Sequence, residues 1–128
     1  MTEHAHGTFE VTITPQPPDD PAIGRFDLAK QWHGDLEATS RGLMLSAGDP
    51  AQGRAGYVAL EAVAGALHGR TGTFAFQQLG VMRGDAQELR YDVVPGSGTA
   101  GLAGIEGTLI LTIEDDGTHR YDLGYTLE

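Results

Sequence analysis

The chain has 128 residues, the usual size of one domain, so we expect a single domain over residues 1–128. Eighteen acidic residues against eight basic ones give a formal charge of −10. This charge repels phosphate backbones and anionic membrane surfaces, so we expect no nucleic acid and no membrane among its partners. The absence of cysteine excludes disulfides, thiol nucleophiles and thiolate metal sites, and it fits a reducing compartment.

The N-terminal segment does not resemble a targeting signal. Residues 1–7 lack a cationic stretch followed by an apolar run, and the chain has no run of about 18 apolar residues. We therefore expect a soluble cytoplasmic protein. Nineteen glycines are many for a helical protein and favour strands that turn sharply or approach other backbone closely.

The first half of the chain begins with a clear alternation. Phe9, Val11 and Ile13 alternate with polar residues and predict a half-buried strand. Four prolines between positions 15 and 21 remove amide donors, so residues 15–23 are predicted to be an extended, exposed loop. Two strands over 26–33 and 36–46 are predicted next, separated at Gly34 and Asp35, with one long bent strand as the alternative.

The segment 56–67 is compatible with two structures. Its alanines and Glu61 favour a helix, whereas Tyr57, Val58 and Val63 favour a strand. Glycines at 56, 65 and 69 leave too short a run for a stable helix. We predict a strand here.

The second half returns to period-two alternation. Residues 71–82, with Phe74 and Phe76 on one face, predict a strand that ends in a turn at 83–85. A further strand at 89–93 precedes the glycine-rich stretch 96–107. That stretch lacks the Lys-Ser or Lys-Thr ending of a phosphate-binding loop, so we interpret its glycines as tight turns and close strand crossings.

The last two strands form the clearest hairpin. Residues 109–113 and 121–127 alternate, and Asp115-Asp116-Gly117 between them is a typical hairpin turn. About eight regularly spaced strands are typical of a β-barrel or a β-sandwich. We predict an all-β fold, a closed antiparallel barrel of about eight strands, whose interior is filled by side chains or holds one small ligand.

Two stretches carry a resemblance to a known family: residues 32–40, Trp-His-Gly-Asp-Leu-Glu-Ala-Thr-Ser, and residues 95–108, Pro-Gly-Ser-Gly-Thr-Ala-Gly-Leu-Ala-Gly-Ile-Glu-Gly-Thr. Together with Gly-Tyr-Val-Ala at 56–59 and Leu-His-Gly-Arg at 67–70, they resemble bacterial domain-of-unknown-function family 3224 over nearly the whole chain. That family is similar in turn to the allene-oxide-cyclase and dirigent barrels, whose Gly-Ser-Gly stretch has its counterpart at 96–107.

The resemblance implies an eight-stranded barrel with a central pocket. In the cyclases a glutamate and an asparagine on the first strand face the pocket. Glu10 corresponds to the glutamate, but Thr12 stands at the asparagine position and the chain contains no asparagine. The resemblance to family 3224 also implies an aspartic-type peptidase activity.

Four carboxylates are candidate catalytic groups: Glu10, Asp35, Glu37 and Glu61. His33, Asp35 and Glu37 share a face if one strand runs through them, and a histidine beside two carboxylates can bind a metal or move protons. The alternative, which we favour, is a turn at Gly34 and Asp35 with a solvated rim. Glu61 lies among apolar residues and faces either a pocket or the outer surface; we favour the surface, because glutamates are rarely buried unpaired.

Aromatic residues and histidines are the candidate ligand-binding groups. Trp32, Tyr57, Phe74 and Phe76 are candidate pocket walls, and His33 and His68 are candidate polar contacts at strand ends. His4 and His6 are spaced for metal chelation, but histidine pairs near a terminus are usually exposed and idle. We predict no metal site and no cofactor.

Three functions follow from these observations. The first is a binding module that accepts a small apolar or amphipathic ligand in the lumen or mouth of the barrel. The second is a carboxylate-based hydrolase of the aspartic-peptidase type, in which two acids share a proton. The third is a non-catalytic structural barrel that forms homo-oligomers through an apolar outer face.

Overall fold

Eight antiparallel strands dominate the computed structural model, which describes residues 2–127. Their bounds are β1 Glu3–Gln16, β2 Gly24–Gly34, β3 Leu36–Asp49, β4 Arg54–Leu67, β5 Arg70–Arg83, β6 Ala86–Val93, β7 Glu106–Ile113 and β8 His119–Thr126. The strands pair in sequence order and β8 pairs back to β1, so the sheet closes into a barrel. The predicted fold is confirmed. Over residues 2–127 there is no helix long and apolar enough to cross a membrane.

The strand predicted at 56–67 is confirmed. β4 pairs along its whole length with β3 on one side and with β5 on the other. The pairing with β3 runs from Leu36 opposite Leu67 to Asp49 opposite Arg54. Ladders on both sides satisfy every backbone group that a helix would have satisfied internally, so pairing overrides the helical preference of the alanines.

The predicted proline loop is shorter than expected. β1 continues through Pro15, which pairs with Phe26, and the loop occupies only residues 17–23. The pairing of β1 with β8 ends at Phe9. Pro15 therefore lies where β1 has β2 as its neighbour and no strand on its other side, a position at which a missing N–H is tolerated.

One end of the barrel, which we call the closed end, is covered by the segment 94–105. Leu102 and Ile105 of this segment are buried against the interior. A Cβ atom on Gly72 of β5 would lie 2.2 Å from the carbonyl oxygen of Thr99, so only glycine allows the segment to approach β5 this closely. Within the glycine-rich stretch, a Cβ atom on Gly98 would lie 2.0 Å from the carbonyl oxygen of Leu102, and one on Gly101 would lie 2.7 Å from that of Thr71, which agrees with the interpretation of these glycines as close backbone packing.

Side chains fill the half of the interior nearest the closed end. Trp32 is fully buried at the centre of this half. Its ring centroid lies 4.5 Å from that of Phe9, 5.6 Å from that of Phe76 and 5.3 Å from that of Tyr121. Leu36, Leu67 and Leu123 complete this packed half. The opposite end, which we call the mouth, carries the loop 17–23 and the turns after β3, β5 and β7.

The barrel wall has a seam between β6 and β7. Within the described chain these strands pair through Asp92 and Thr108 alone, whereas each of the other adjacent strand pairs is joined over seven or more residues. The hydroxyl of Thr108 donates a hydrogen bond of 3.0 Å to Oδ1 of Asp92 at this point. From there towards the mouth, the facing edges of β6 and β7 have no ladder between them.

Candidate functional site

A cavity of about 400 Å³ occupies the mouth of the barrel. Its walls come mainly from inward-facing apolar side chains of β2 to β7: Phe26, Met44, Ala55, Tyr57, Met82, Leu89 and Leu111. Its volume is within the usual range for a small-molecule pocket. The mouth cavity thus lies above the packed half of the interior.

Tyr57 provides a neutral polar group at the base of the mouth cavity. Its hydroxyl donates a hydrogen bond of 2.9 Å to Oε1 of Gln78 on β5. A Cβ atom on Gly80 would lie 2.3 Å from Cε1 of Tyr57, so the glycine makes room for the ring against β5. Burial, and next the charge of Glu61, raise the pKa of Tyr57. The phenol is therefore neutral at ordinary pH.

A cluster of polar side chains is buried deeper in the interior. Nζ of Lys30 lies 3.1 Å from Oε2 and 3.2 Å from Oε1 of Glu61, and it donates a 2.7 Å hydrogen bond to the hydroxyl of Tyr91. Tyr91 donates to Oε1 of Glu61, and Ser40 donates to Oε2 at 3.1 Å. Nε1 of Trp32 donates to Ser40 at 3.0 Å. We call these five residues the buried polar cluster.

Alternation along four strands brings the buried polar cluster together. Lys30 follows Leu28 and precedes Trp32 on the inward face of β2, and the register places Lys30 opposite Ser40 of β3 and Ser40 opposite Val63 of β4. Glu61 lies one inward position before Val63. The pairing of strands that are distant in sequence therefore creates the cluster.

The electrostatics of the cluster are dominated by burial. Burial lowers the pKa of Lys30, and the neighbouring carboxylate of Glu61 opposes this effect. Burial, followed by the charge and hydrogen bond of Glu61, raises the pKa of Tyr91 well above its ordinary value. The ammonium also lies 4.9 Å from the ring centroid of Phe9 and 5.0 Å from that of Tyr91, within cation–π distance.

The arrangement combines an amine, a carboxylate and a phenol within hydrogen-bonding distance of one another. Such a group can transfer protons and can hold a positive charge beside its counter-ion in a site shielded from water. Buried ion pairs contribute little net stability compared with apolar residues, so their occurrence in a small core indicates a candidate functional site.

The favoured surface placement of Glu61 is wrong. Glu61 is 2% exposed and points into the barrel. Its charge is compensated by Lys30 and by the hydroxyl groups of Ser40 and Tyr91, so it is not the unpaired buried glutamate that the general rule excludes. The outer face of β4 instead presents Val58 and Leu60, which are exposed.

The candidate pocket walls occupy different parts of the barrel. Tyr57 lines the mouth cavity. Trp32, Phe74 and Phe76 are buried in the packed half, where the rings of Phe74 and Phe76 meet edge to face at 4.9 Å. The structure therefore places Tyr57 at the cavity and the other three in the core below it.

The remaining candidates lie outside the barrel interior. Glu10 points outward on β1, where it contacts Nε2 of His33 at 3.2 Å, so it does not face a pocket as the sequence resemblance implied. Asp35 accepts a 2.8 Å hydrogen bond from the backbone N–H of His6 and lies 3.6 Å from Nε2 of His68. These contacts, the backbone hydrogen bond above all, lower the pKa of Asp35.

The turn predicted at Gly34 and Asp35 is present between β2 and β3. Oε1 of Glu37 accepts a 2.9 Å hydrogen bond from the backbone N–H of Gly34, which supports the turn. The solvated-rim interpretation of His33, Asp35 and Glu37 agrees with these positions. Over residues 2–127, no three histidine and acidic side chains come together as a metal site, and His4 pairs with Asp122 at 2.9 Å.

Four site residues were not predicted from the sequence: Lys30, Ser40, Gln78 and Tyr91. One signal in the sequence identifies the first of them. Lys30 is the only lysine of the chain, the other seven basic residues being arginines, and it alternates with Leu28 and Trp32 on one face of a strand. A lone lysine on an apolar face indicates a buried amine that the fold must compensate.

Comparison with known proteins identifies the family. The search of curated proteins found no match. A crystal structure of a protein with unknown function from the DUF3224 family of Shewanella oneidensis MR-1 is 39% identical, covers 100% of this chain and 98% of its own, and superimposes with a TM-score of 0.92. The family model described as "Protein of unknown function (DUF3224)" matches residues 5–125. The chain therefore belongs to the DUF3224 family.

Proposed function

We propose that this barrel is a binding module for a small, partly apolar molecule held in the mouth cavity. The observation that carries the proposal is a cavity of about 400 Å³ with mainly apolar walls and a buried polar contact, the Tyr57 hydroxyl, at its base; Ser46, Gln87 and Glu88 are its other polar lining residues. Pockets of this size and composition bury the apolar body of a ligand and orient it with a few polar contacts. The resemblance to the allene-oxide-cyclase barrels supports the same site by fold analogy.

The polar contact at the base of the cavity suits an uncharged ligand group. The hydroxyl of Tyr57 donates a hydrogen bond to Gln78. The lone pairs of its oxygen are therefore available to accept a hydrogen bond from a ligand. Lys30 and Glu61 neutralise each other below. Glu88, the charged residue among the cavity walls, is exposed and pairs with Arg83 at 3.3 Å. A charged head group would therefore meet no unpaired opposite charge among these residues, and its desolvation would be costly.

Blocking the mouth is expected to weaken this binding. Ala55→Trp places a large ring among the cavity walls and is expected to weaken binding of the neutral fluorescent probe N-phenyl-1-naphthylamine by about tenfold or more, a loss of about 1.4 kcal/mol. The measurement is a fluorescence titration of the probe into the folded protein.

Ala64→Trp is the matched control, because Ala64 is an exposed residue of the same strand. It is expected to leave probe affinity unchanged. Equal affinities for wild type and Ala55→Trp, or no saturable binding by the wild type, would exclude the mouth cavity as the binding site.

The outer face of β3, β4 and β5 favours a second function, self-association. Five exposed apolar side chains form one patch there, in which Leu43 lies opposite Leu60, Leu45 opposite Val58, and Val58 opposite Leu79. Leu60 is 58% exposed. Contiguous apolar patches of this kind mark protein–protein interfaces. In a two-fold dimer, the patch of one chain would pack against the same patch of the second chain.

Light scattering after size exclusion tests self-association. The wild type is expected to show a mass above that of one chain that rises with concentration, and Leu60→Glu is expected to reduce it to one chain. Ile110→Glu, which replaces an exposed apolar residue on β7 away from the patch, is expected to behave as the wild type. A wild type that remains a monomer at all concentrations would contradict self-association.

A further inference from the structure

Lys30 is distinguished from every other basic residue of the chain by its position and its chemistry. It is the only lysine, and it is 8% exposed, deep inside the barrel. Arginine is the residue better suited to a buried ion pair that serves structure alone, because its planar guanidinium binds carboxylates in a bidentate manner and does not lose its proton. The only nucleophilic amine among the side chains is therefore placed where the pairing role does not require an amine.

Lys30 lies below the mouth cavity, on the same inward face of β2 as one of the cavity walls. Phe26 lines the cavity, and Leu28 and Lys30 are the next inward-facing residues of β2. Four residues of strand span about 13 Å. Lys30 retains some exposure, whereas Trp32, the next inward residue, has none. Lys30 thus lies between the packed half and the mouth cavity, and Leu28 is the inward residue of β2 that separates it from Phe26.

Small residues and the seam reduce the barrier between the cavity and the amine. Ala59, between Tyr57 and Glu61 on β4, and Gly42 on β3 contribute little side-chain volume at this level. A groove of about 370 Å³ follows the seam between β6 and β7, and Tyr91 is one of its lining residues. From Tyr91 towards the mouth, no strand ladder joins β6 to β7 in the described chain.

We propose that Lys30 is an attachment site for an apolar aldehyde, which enters through the mouth cavity and forms an imine with Nζ. This inference rests on the proposed binding function, since the mouth supplies the entry. The cluster is suited to the product: a protonated imine is a cation, and Nζ already lies beside the Glu61 carboxylate and near the rings of Phe9, Trp32 and Tyr91. Ser40 holds the carboxylate in place.

The atoms and charges of the reaction balance within the cluster. The Lys30 ammonium gives a proton to Glu61, and the free amine attacks the carbonyl carbon, so that a C–N bond forms and the π electrons move to oxygen. Glu61 returns its proton to that oxygen and then takes one from nitrogen. The hydroxyl group leaves as water with this proton while the nitrogen lone pair forms C=N. The net change is ammonium plus aldehyde to protonated imine plus one water.

Burial also shifts the pKa of the Lys30 amine in the direction that favours imine formation. Burial lowers the pKa of Lys30, which increases the fraction of free amine relative to an exposed lysine. An amine in an apolar site that has an acid and a base within hydrogen-bonding distance is the usual arrangement for imine-forming lysines.

Reductive trapping tests the proposal directly. The folded wild type is incubated with octanal and sodium cyanoborohydride, and the product is examined by intact mass and peptide mapping. Lys30 carries the only ε-amine, so the α-amino group at the N-terminus serves as an internal reference. We expect alkylation of Lys30 about tenfold or more faster than that of the α-amine. Labelling of the α-amine alone would overturn the proposal.

Variants separate a reactive amine from a merely buried one. Lys30→Arg keeps the positive charge without an amine that forms an imine, and Lys30→Met/Glu61→Leu removes the pair in case the arginine does not fit; both are expected to lose this adduct. Glu61→Gln is expected to slow trapping at Lys30 by about tenfold, because proton transfer is lost. Equal trapping rates in Glu61→Gln and wild type would contradict the role of the cluster.

The two proposals fail in different ways. If N-phenyl-1-naphthylamine binds in the mouth but octanal does not label Lys30, the imine proposal fails and the binding function stands. If octanal labels Lys30 equally in wild type and Ala55→Trp, entry through the mouth is excluded. Labelling of Lys30 only after unfolding in urea would show that the folded barrel shields the amine, and this too would overturn the proposal.

Discussion

Replacing Glu61 by leucine is expected to lower the free energy of unfolding by about 3–5 kcal/mol. The change leaves the Lys30 ammonium in the interior without a carboxylate, and it leaves the hydroxyl groups of Ser40 and Tyr91 without their acceptor. A buried charge that loses its partner costs far more than the pair contributes. The measurement is urea-induced unfolding followed by circular dichroism.

Two further variants isolate the cause. The double variant Lys30→Met/Glu61→Leu removes both charges and is expected to recover at least half of the loss, because apolar residues of similar volume replace a buried pair with little cost. Glu88→Leu, which breaks the exposed pair of Glu88 with Arg83 at 3.3 Å, is expected to change the free energy by less than about 1 kcal/mol. A loss in Glu61→Leu as small as that in Glu88→Leu would show that the buried pair is not an energetic unit.

Alkaline pH is expected to unfold the barrel cooperatively between about pH 10 and pH 12. All four tyrosines of the chain, Tyr57, Tyr91, Tyr121 and Tyr125, have raised pKa values, with burial as the largest cause in each, and that of Tyr121 rises to about 12. Below pH 10 the phenols are protonated in both states. Above pH 10 the unfolded chain loses these protons first, so stability falls.

The slope of this loss is set by the number of protons that the folded state retains. Each tyrosine that stays neutral in the fold lowers the free energy of unfolding by about 1.4 kcal/mol per pH unit in this window. Lys30 acts in the opposite direction at lower pH, because its lowered pKa makes stability rise with pH up to the ordinary value of 10.5. The measurement is tyrosinate absorbance recorded alongside circular dichroism.

Tyr121→Phe identifies one contributor. The hydroxyl of Tyr121 accepts a hydrogen bond from the backbone N–H of Leu36 and donates one to the carbonyl oxygen of His33, both at 2.9 Å. Its removal is expected to lower stability at neutral pH but to flatten the decline above pH 10. Normal ionisation of the tyrosines near pH 10 in a protein that stays folded would contradict the expected burial.

The positions of the strands could be predicted from the sequence because they depend on local pattern. Phe74 and Phe76 alternate with outward residues as predicted, and the turns at 34–35 and 115–117 lie between the predicted strands. Side chains on a strand alternate between two faces whatever the partner strand is, so the period of two is visible without the fold. The loop predicted at 15–23 begins two residues too early, because proline excludes a ladder on one side of a strand only and Pro15 still pairs with Phe26 on the other.

The interior face could not be chosen in the same way, because both faces of β3, β4 and β5 carry apolar residues. Leu43, Leu60 and Leu79 lie outside, while the charged Lys30 and Glu61 lie inside. A scheme that assigns apolar residues to the core and charged residues to the surface therefore places Glu61 on the wrong side. The lysine that neutralises it is 31 residues away, and no local pattern links the two.

The sequence by itself determined that this protein is built of about eight alternating strands with sharp turns, because side-chain period and turn chemistry are local properties. Only the tertiary structure decided which face of each strand is buried, that the closed end is packed and the mouth open, and that Lys30, Glu61 and Tyr91 meet. Those outcomes depend on strand register and on the closure of the barrel, and a shift of one residue in register would exchange every inward side chain for an outward one.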